Sequence, residues 1–148
     1  MNEVFAHSAL IKHKHVVRYY NSWVENGRVY IQNEFCEGGS LAAKIREFKE
    51  TGKRFTEAEL KRILLHLAKG LDYIHSKFLV HLDVKPENIL LHQYAHGVHL
   101  KLCDFATACD LEQHDEGHRP RTFVGSAEYV SPELLGTSKY TCFESDLW

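Results

Sequence analysis

No apolar run in this sequence approaches the roughly 20 residues a membrane-spanning helix needs, and its N-terminus lacks the pattern of a signal peptide. Its four cysteines, Cys36, Cys103, Cys109 and Cys142, stand far apart with no C-x-x-C pair. They read as reduced thiols of a nuclear or cytoplasmic protein and exclude a disulfide frame. Charge of one sign is not in excess. A net charge of −2 gives no reason to expect nucleic acid or an anionic membrane as the main partner. Histidine is plentiful at 11 residues, including His13-Lys14-His15 and the His92/His96 and His114/His118 pairs, but no H-E-x-x-H occurs. Polar loop histidines are the expectation, and a histidine metal site is set aside. No internal repeat or linker is visible.

What remains is ordinary for a folded domain: 148 residues, 44% hydrophobic and 26% charged, enough for one domain with a core. Residues 1–14 have the apolar spacing of a helix already under way at Met1. Two β-rich runs, Val16–Val24 and Arg28–Phe35, flank Glu25-Asn26-Gly27, and an Asn-Gly between such runs predicts a hairpin. Ser40 is placed to cap a helix over Leu41–Lys49 that ends by Gly52. Thr56 and Glu59 form a capping box for a longer helix. Its stripe of Leu60, Ile63, Leu64, Leu67, Leu71 and Ile74 is expected to be core. Short apolar pieces follow at Leu79-Val80, Ile89–Leu91 and Val98–Cys103. Residues 104–131 read as a long polar loop, a length that points to function or disorder.

The chemistry concentrates in His81-Leu82-Asp83-Val84-Lys85-Pro86-Glu87-Asn88, followed past a predicted hairpin by Asp104-Phe105-Ala106. Moving a γ-phosphoryl group needs an acceptor for the hydroxyl proton, cations on the phosphates, and oxygens to hold those cations. Asp83 can take the proton and orient the hydroxyl. Lys85 projects the same way from an extended loop and can neutralise the moving charge. Asn88 and Asp104 offer the oxygens that hold Mg²⁺, and Pro86 stiffens the loop between.

These residues resemble the catalytic loop of eukaryotic protein kinases, H-R-D-L-x-x-x-N, with the D-F-G metal motif after it. Ser131-Pro132-Glu133 is similar to the A-P-E that closes the activation loop, and Asp146-Leu147-Trp148 to the D-x-W that anchors the catalytic loop. The resemblance covers the whole chain. It implies an α+β, protein kinase-like fold, with residues 1–35 as the end of the small lobe and 36–148 as hinge and first half of the helical large lobe. It implies ATP and Mg²⁺ as cofactors and a protein as substrate. Carried over by position, Glu3 is the helix glutamate that pairs with the nucleotide-binding lysine, and Asn33 is the gatekeeper. Glu34-Phe35-Cys36 is the hinge, Leu90 the floor under adenine, and Ser40 with the Glu87 backbone the ribose contacts. His7, Tyr19, His81 and Phe105 align with the stacked spine of active kinases. Thr122 and Ser126 are the activation-loop hydroxyls. The Gly-rich loop and strand lysine of the family are expected upstream, so the chain reads as a partial kinase domain expected to be inactive alone.

Leu82 in place of the usual Arg, Asn33 as gatekeeper, and the runs Val17–Trp23 and Ile31–Cys36 are similar to the Wee and Myt kinases. That resemblance implies an inhibitory site on a cyclin-dependent kinase as target and a role in cell-cycle control. The translation-initiation-factor kinases share the look of these runs, and a non-catalytic kinase-like scaffold is the reading from another class. Val124-Gly125-Ser126-Ala127-Glu128-Tyr129 departs from the Wee pattern E-G-D-x-R-Y. It resembles Ser/Thr kinases such as the phosphoinositide-dependent kinase, in which Ser126 would bridge Asp83 and Lys85. The acceptor, Ser/Thr or Tyr, stays open. Ala106 in place of glycine removes easy access to positive φ and should make the motif harder to flip.

Overall fold

A computed structural model describes residues 10–95, 97–111, 125–135 and 143–148. The helix expected over residues 1–14 falls mostly outside them, and residues 10–13 are not helical. Strands β1 (Tyr19–Glu25) and β2 (Arg28–Asn33) form the expected antiparallel hairpin. Asn26 and Gly27 at its tip have φ of 51° and 71°, the double positive φ of a tight hairpin turn whose twist matches that of the strands.

The chain then leads into helix α1 (Leu41–Thr51). The Ser40 hydroxyl accepts the Ala43 N–H at 3.2 Å, and Gly52 ends the helix at φ 68°, a left-handed cap with no Cβ to strain. Helix α2 (Glu57–His75) begins with the full capping box: Thr56 Oγ1 accepts the Glu59 N–H, and the Glu59 carboxylate accepts the Thr56 N–H.

The apolar stripe of α2 is only partly core. Leu71 and Ile74 are buried and Ile63 and Leu67 partly so, but Leu60 and Leu64 are 48% and 67% exposed. The periodicity was right for a helix, yet only the C-terminal half of α2 meets the sheet elements, so the expected core assignment fails at Leu60 and Leu64. Among the described residues nothing covers that end of the stripe.

Beyond α2 the chain makes β3 (Leu79–Val80), a 3-10 turn over Pro86–Asn88, β4 (Ile89–Tyr94) and β5 (Gly97–Leu102). The segment read as a continuous loop contains a further short strand, β6 (Cys109–Asp110), paired antiparallel to β3. Two residues are too few to show a period, which is why the strand left no mark in the sequence. A 3-10 turn over Ala127–Tyr129, the short helix α3 (Pro132–Leu135) and a 3-10 turn over Phe143–Asp146 complete the described chain.

Small antiparallel sheets set against helices make this an α+β arrangement. One core joins Val16, Leu41, Leu71, Ile74, Ile89, Leu102 and the fully buried Phe105. A second cluster packs Val80, Leu82 and Cys109 against Leu134 and Phe143. The segment carrying Asp83 and Asn88 runs between the two cores and is clamped from both sides.

Candidate active site

Asp83 is almost buried at 7% exposure, and every part of its carboxylate is engaged. Oδ1 accepts the Ser126 N–H at 2.8 Å. Oδ2 accepts Asn88 Nδ2 at 2.9 Å and faces Lys85 Nζ at 2.7 Å. Burial alone would raise the Asp83 pKa. The Lys85 ammonium and the Ser126 hydroxyl and N–H outweigh it and hold the carboxyl below its usual value. Lys85 is shifted the opposite way: the Asp83 carboxylate first, opposed by burial and helped by Glu87 and Asp104, raises its pKa. Aspartate and lysine are thus a committed ion pair.

The loop geometry follows from the sequence. Lys85 is extended (φ −153°, ψ 162°), so its side chain returns toward Asp83, and Pro86 then starts a 3-10 turn closed by Asn88 N–H on the Lys85 carbonyl at 2.9 Å. That turn carries Asn88 inward, where Nδ2 also donates to the Asp83 carbonyl at 2.9 Å. With the amide nitrogen spent on Asp83, the Asn88 oxygen is the end left for a cation. Asp104 follows β5 at φ 63°, a left-handed position uncommon for a non-glycine and typical of functional sites. Its carboxylate is exposed and accepts the Ala106 N–H at 3.3 Å. A neutral amide oxygen and an exposed carboxylate beside the Lys85 charge are hard oxygen donors that suit Mg²⁺ with a nucleotide phosphate. Ala106 does not adopt positive φ, so alanine fits there without strain.

Ser126 binds both members of the pair, because Lys85 Nζ donates to its Oγ at 2.5 Å. Gly125 makes this possible. It has φ 90°, and a Cβ there would run into the carbonyl oxygen of Leu82. Below the loop, His81 is fully buried against Phe105, ring centroids 5.0 Å apart, and its Nε2 lies 3.0 Å from the Cys103 carbonyl. Thr107 Oγ1 donates to the His81 carbonyl at 2.9 Å. The Asp146 carboxylate accepts the N–H of His81 at 2.8 Å and of Leu82 at 2.7 Å, and meets His75 Nε2 at 2.8 Å. Nearby, Ser145 Oγ donates to Glu133 at 2.6 Å.

The remaining expected residues lie apart from this cluster or outside the described residues. Asn33 ends β2 and is exposed, Glu34 is half-buried, and Cys36 is buried with its thiol pushed up to about 11 by burial and by Glu34. Glu34 does not simply lie along a hinge. Its carboxylate binds Lys101 Nζ at 2.9 Å, and Lys101 is itself only 2% exposed. Burial opposes both charges, but the pair prevails, lowering the Glu34 pKa and raising that of Lys101. Sequence reasoning missed Lys101, since a lysine in an alternating strand looks like a solvent-facing residue. Backbone bonds from Gly38 N–H to the Leu91 carbonyl (2.9 Å) and Leu91 N–H to the Gly39 carbonyl (2.8 Å) lace this segment to β4. They bring Ser40 opposite Leu90. The Ser40 hydroxyl is already occupied in capping α1. Glu87 is exposed on the 3-10 turn. Tyr19 bonds Ser22 Oγ at 2.8 Å. Glu3, His7 and Thr122 lie outside the described residues.

An Asp–Lys–Asn loop, an exposed carboxylate after the next hairpin, and a serine bonded to both the aspartate and the lysine match the arrangement expected of a kinase-like domain. A family model described as the protein kinase domain matches residues 1–148, and the chain belongs to that family. It is 55% identical over 91 residues to Wee1-like protein kinase 1-A of Xenopus laevis and 53% identical over 91 residues to Wee1-like protein kinase 2 of Homo sapiens. Each match covers 62% of this chain and 16% of the relative. Wee1-like protein kinase 2 of Danio rerio is 50% identical over 156 residues, covering 97% of this chain and 27% of the relative. The chain therefore spans well under a third of the length of these curated relatives.

Proposed function

We propose that the protein is a Wee-like kinase that transfers the γ-phosphoryl group of ATP to a protein hydroxyl, with Asp83 and Lys85 as its catalytic pair. The observation that carries this reading is the Asp83 carboxylate held by Lys85, Asn88 and Ser126 at 2.7 to 2.9 Å. Its lowered pKa keeps it an anion at neutral pH, able to orient an incoming hydroxyl and receive its proton. Lys85 reaches both Asp83 and Ser126, and its charge can offset charge on the transferring group. Asn88 and Asp104 would hold Mg²⁺, which with ATP supplies the phosphoryl group and masks phosphate charge. The small lobe over residues 1–35 and the hinge and large lobe over 36–148 belong to this reading, with Glu34–Cys36 beside the adenine and Leu90 beneath it.

The substrate that the resemblance implies is a cyclin-dependent kinase, and the site of action is nuclear or cytoplasmic. Among the described residues no helix is long and apolar enough to cross a membrane. Ser126 bears on the acceptor. It bonds both Lys85 and Asp83, the bridge that the resemblance to Ser/Thr kinases implies, and this favours a Ser or Thr acceptor over Tyr. The full-length protein, incubated with labelled ATP, Mg²⁺ and a cyclin-dependent kinase carrying an inactivating substitution, should yield labelled phosphothreonine or phosphoserine. Labelled phosphotyrosine would overturn the acceptor, and no labelled protein in any form would favour a non-catalytic scaffold.

A further inference from the structure

Three of the 11 histidines converge at a place remote in sequence from the catalytic loop. His15 comes from the segment entering Val16, His66 from the middle of α2 and His99 from β5. One ring nitrogen of each lies within 4.8 Å of the other two. Ring centroids are 4.3 Å apart for His15 and His66, 5.1 Å for His66 and His99, and 5.8 Å for His15 and His99.

The backbone beneath them is tightly tied. Leu102 N–H donates to the His15 carbonyl at 2.9 Å, and Val17 N–H to the Leu102 carbonyl at 2.8 Å. At Gly70, one turn beyond His66, a Cβ would come within 2.9 Å of the His15 carbonyl oxygen. These contacts fix three ring-bearing elements around one point.

Packed neutral imidazoles would account for the stacking but leave a cost unexplained. His99 Nδ1 is buried and has no hydrogen-bond partner among the described residues, and an unpaired buried polar atom is destabilising unless something else uses it. The donor states also fit a ligand. His15 Nδ1 lies 3.0 Å from the Leu100 carbonyl, so it carries the proton and leaves Nε2 with a lone pair. A ring N–H on a backbone carbonyl is the outer contact that orients metal-bound histidines. His66 Nδ1 accepts the Leu100 N–H at 3.3 Å, a long bond that can be exchanged. Burial, with neighbouring positive groups, lowers the pKa of all three rings, that of His66 to about 4; at His15 the Leu100 carbonyl opposes the shift without reversing it. They are uncharged at neutral pH.

We propose that His15, His66 and His99 form a binding site for a divalent transition-metal ion, with Zn²⁺ the ion that fits best. Three imidazoles without carboxylate or thiolate select borderline ions over Mg²⁺ or Ca²⁺. Zn²⁺ binds nitrogen at about 2.0–2.1 Å and takes four ligands in a tetrahedron, leaving one position to water. The rings must close by roughly 1 Å to reach that geometry. The ion would cross-link the segment before Val16, helix α2, and the strand that runs into Asp104.

The test is a titration of metal-free, full-length protein with Co²⁺, read by its visible absorption, followed by displacement with Zn²⁺. One equivalent should bind with the intense bands of four-coordinate cobalt, and Zn²⁺ should abolish them. Either His66→Gln or His99→Gln should weaken uptake by about 100-fold or more. His99 is only half-buried, so its variant serves if His66→Gln fails to fold. The Leu100 amide resonance should shift on Zn²⁺ addition. His92→Gln removes the ring beside Glu34 and Glu37 and should leave uptake unchanged. No saturable uptake, or uptake that survives His66→Gln and His99→Gln, or uptake lost with His92→Gln, would overturn the proposal.

Discussion

Asp146 Oδ1 accepts the backbone N–H of Leu82 at 2.7 Å across 64 residues of sequence, and Leu82 is held there at φ 65°. A branched aliphatic residue pays strain of order 1–3 kcal/mol in that region and keeps it only where the surroundings dictate it. The reason is position: the turn at Leu82 aims the next residue, Asp83, at Lys85 and Ser126. A carboxylate with no exposed side-chain surface therefore acts on the site only by shaping its loop.

Asp146→Ala should cost roughly 2–4 kcal/mol of stability, since it strands two buried N–H donors that now bond a charged group. Urea unfolding of the full-length protein would read it as a lower midpoint. Asp146→Asn keeps an acceptor for one N–H and should cost less. An Ala variant as stable as wild type would mean that water or another group replaces the carboxylate.

The Asp83–Lys85 pair fixes a pH dependence. The Asp83 pKa is lowered from an ordinary 3.8, so its contribution is full above that value and is lost as pH falls through the lowered folded value. The Lys85 pKa is raised from an ordinary 10.5, so its contribution is full below that value and is lost as pH rises through the raised one. The stability difference between wild type and Lys85→Met should therefore be flat around neutral pH and shrink only toward the two extremes. A difference that changes steadily across neutral pH would place another titrating group in the pair.

Leu82 also bears on regulation. Its side chain is buried with Val80 and Cys109, against Leu134 and Phe143, where a phosphate-gripping arginine would stand in most kinases. An aliphatic chain cannot bind a phosphate added to the activation loop, and such a phosphate carries about −1.5 to −2 charge. Arg119 and Arg121 neighbour Thr122 in sequence. Phosphatase-treated full-length protein made in bacteria should accordingly show nearly the same kcat with Thr122→Ala as with threonine. A drop of about tenfold, or 1.4 kcal/mol in the barrier, would show that activity does depend on that hydroxyl. Ser126 must stay intact in this comparison because it bonds Asp83 and Lys85 directly.

Local chemistry was legible in the sequence wherever neighbours in the chain are neighbours in space. Asn26-Gly27 announced its turn, Thr56 and Glu59 their capping box, and Ser40 and Gly52 the two ends of α1. The spacing of Asp83, Lys85 and Asn88 announced one loop, because an extended residue and a proline-started turn leave few other ways to arrange them. Partners distant in the chain were hidden. Lys101 and Glu34 form a partly buried pair across 67 residues, and His15, His66 and His99 come from three elements with no spacing rule to link them. Leu60 and Leu64 showed the converse limit: a helical period says which residues share a face, but not whether anything packs on it.

On the proposed reading Asp83 serves the transfer step rather than nucleotide binding, and one variant separates the two. Asp83→Asn keeps the size of the side chain and an oxygen for the Ser126 N–H, and leaves Asn88 and Asp104 in place for Mg²⁺. Single-turnover transfer from labelled ATP to a protein acceptor should then fall by about 10²-fold or more, the usual contribution of a positioned base. Affinity for ATP, measured on the same sample of full-length protein, should be little changed. Transfer at the wild-type rate by Asp83→Asn would rule out that role for Asp83.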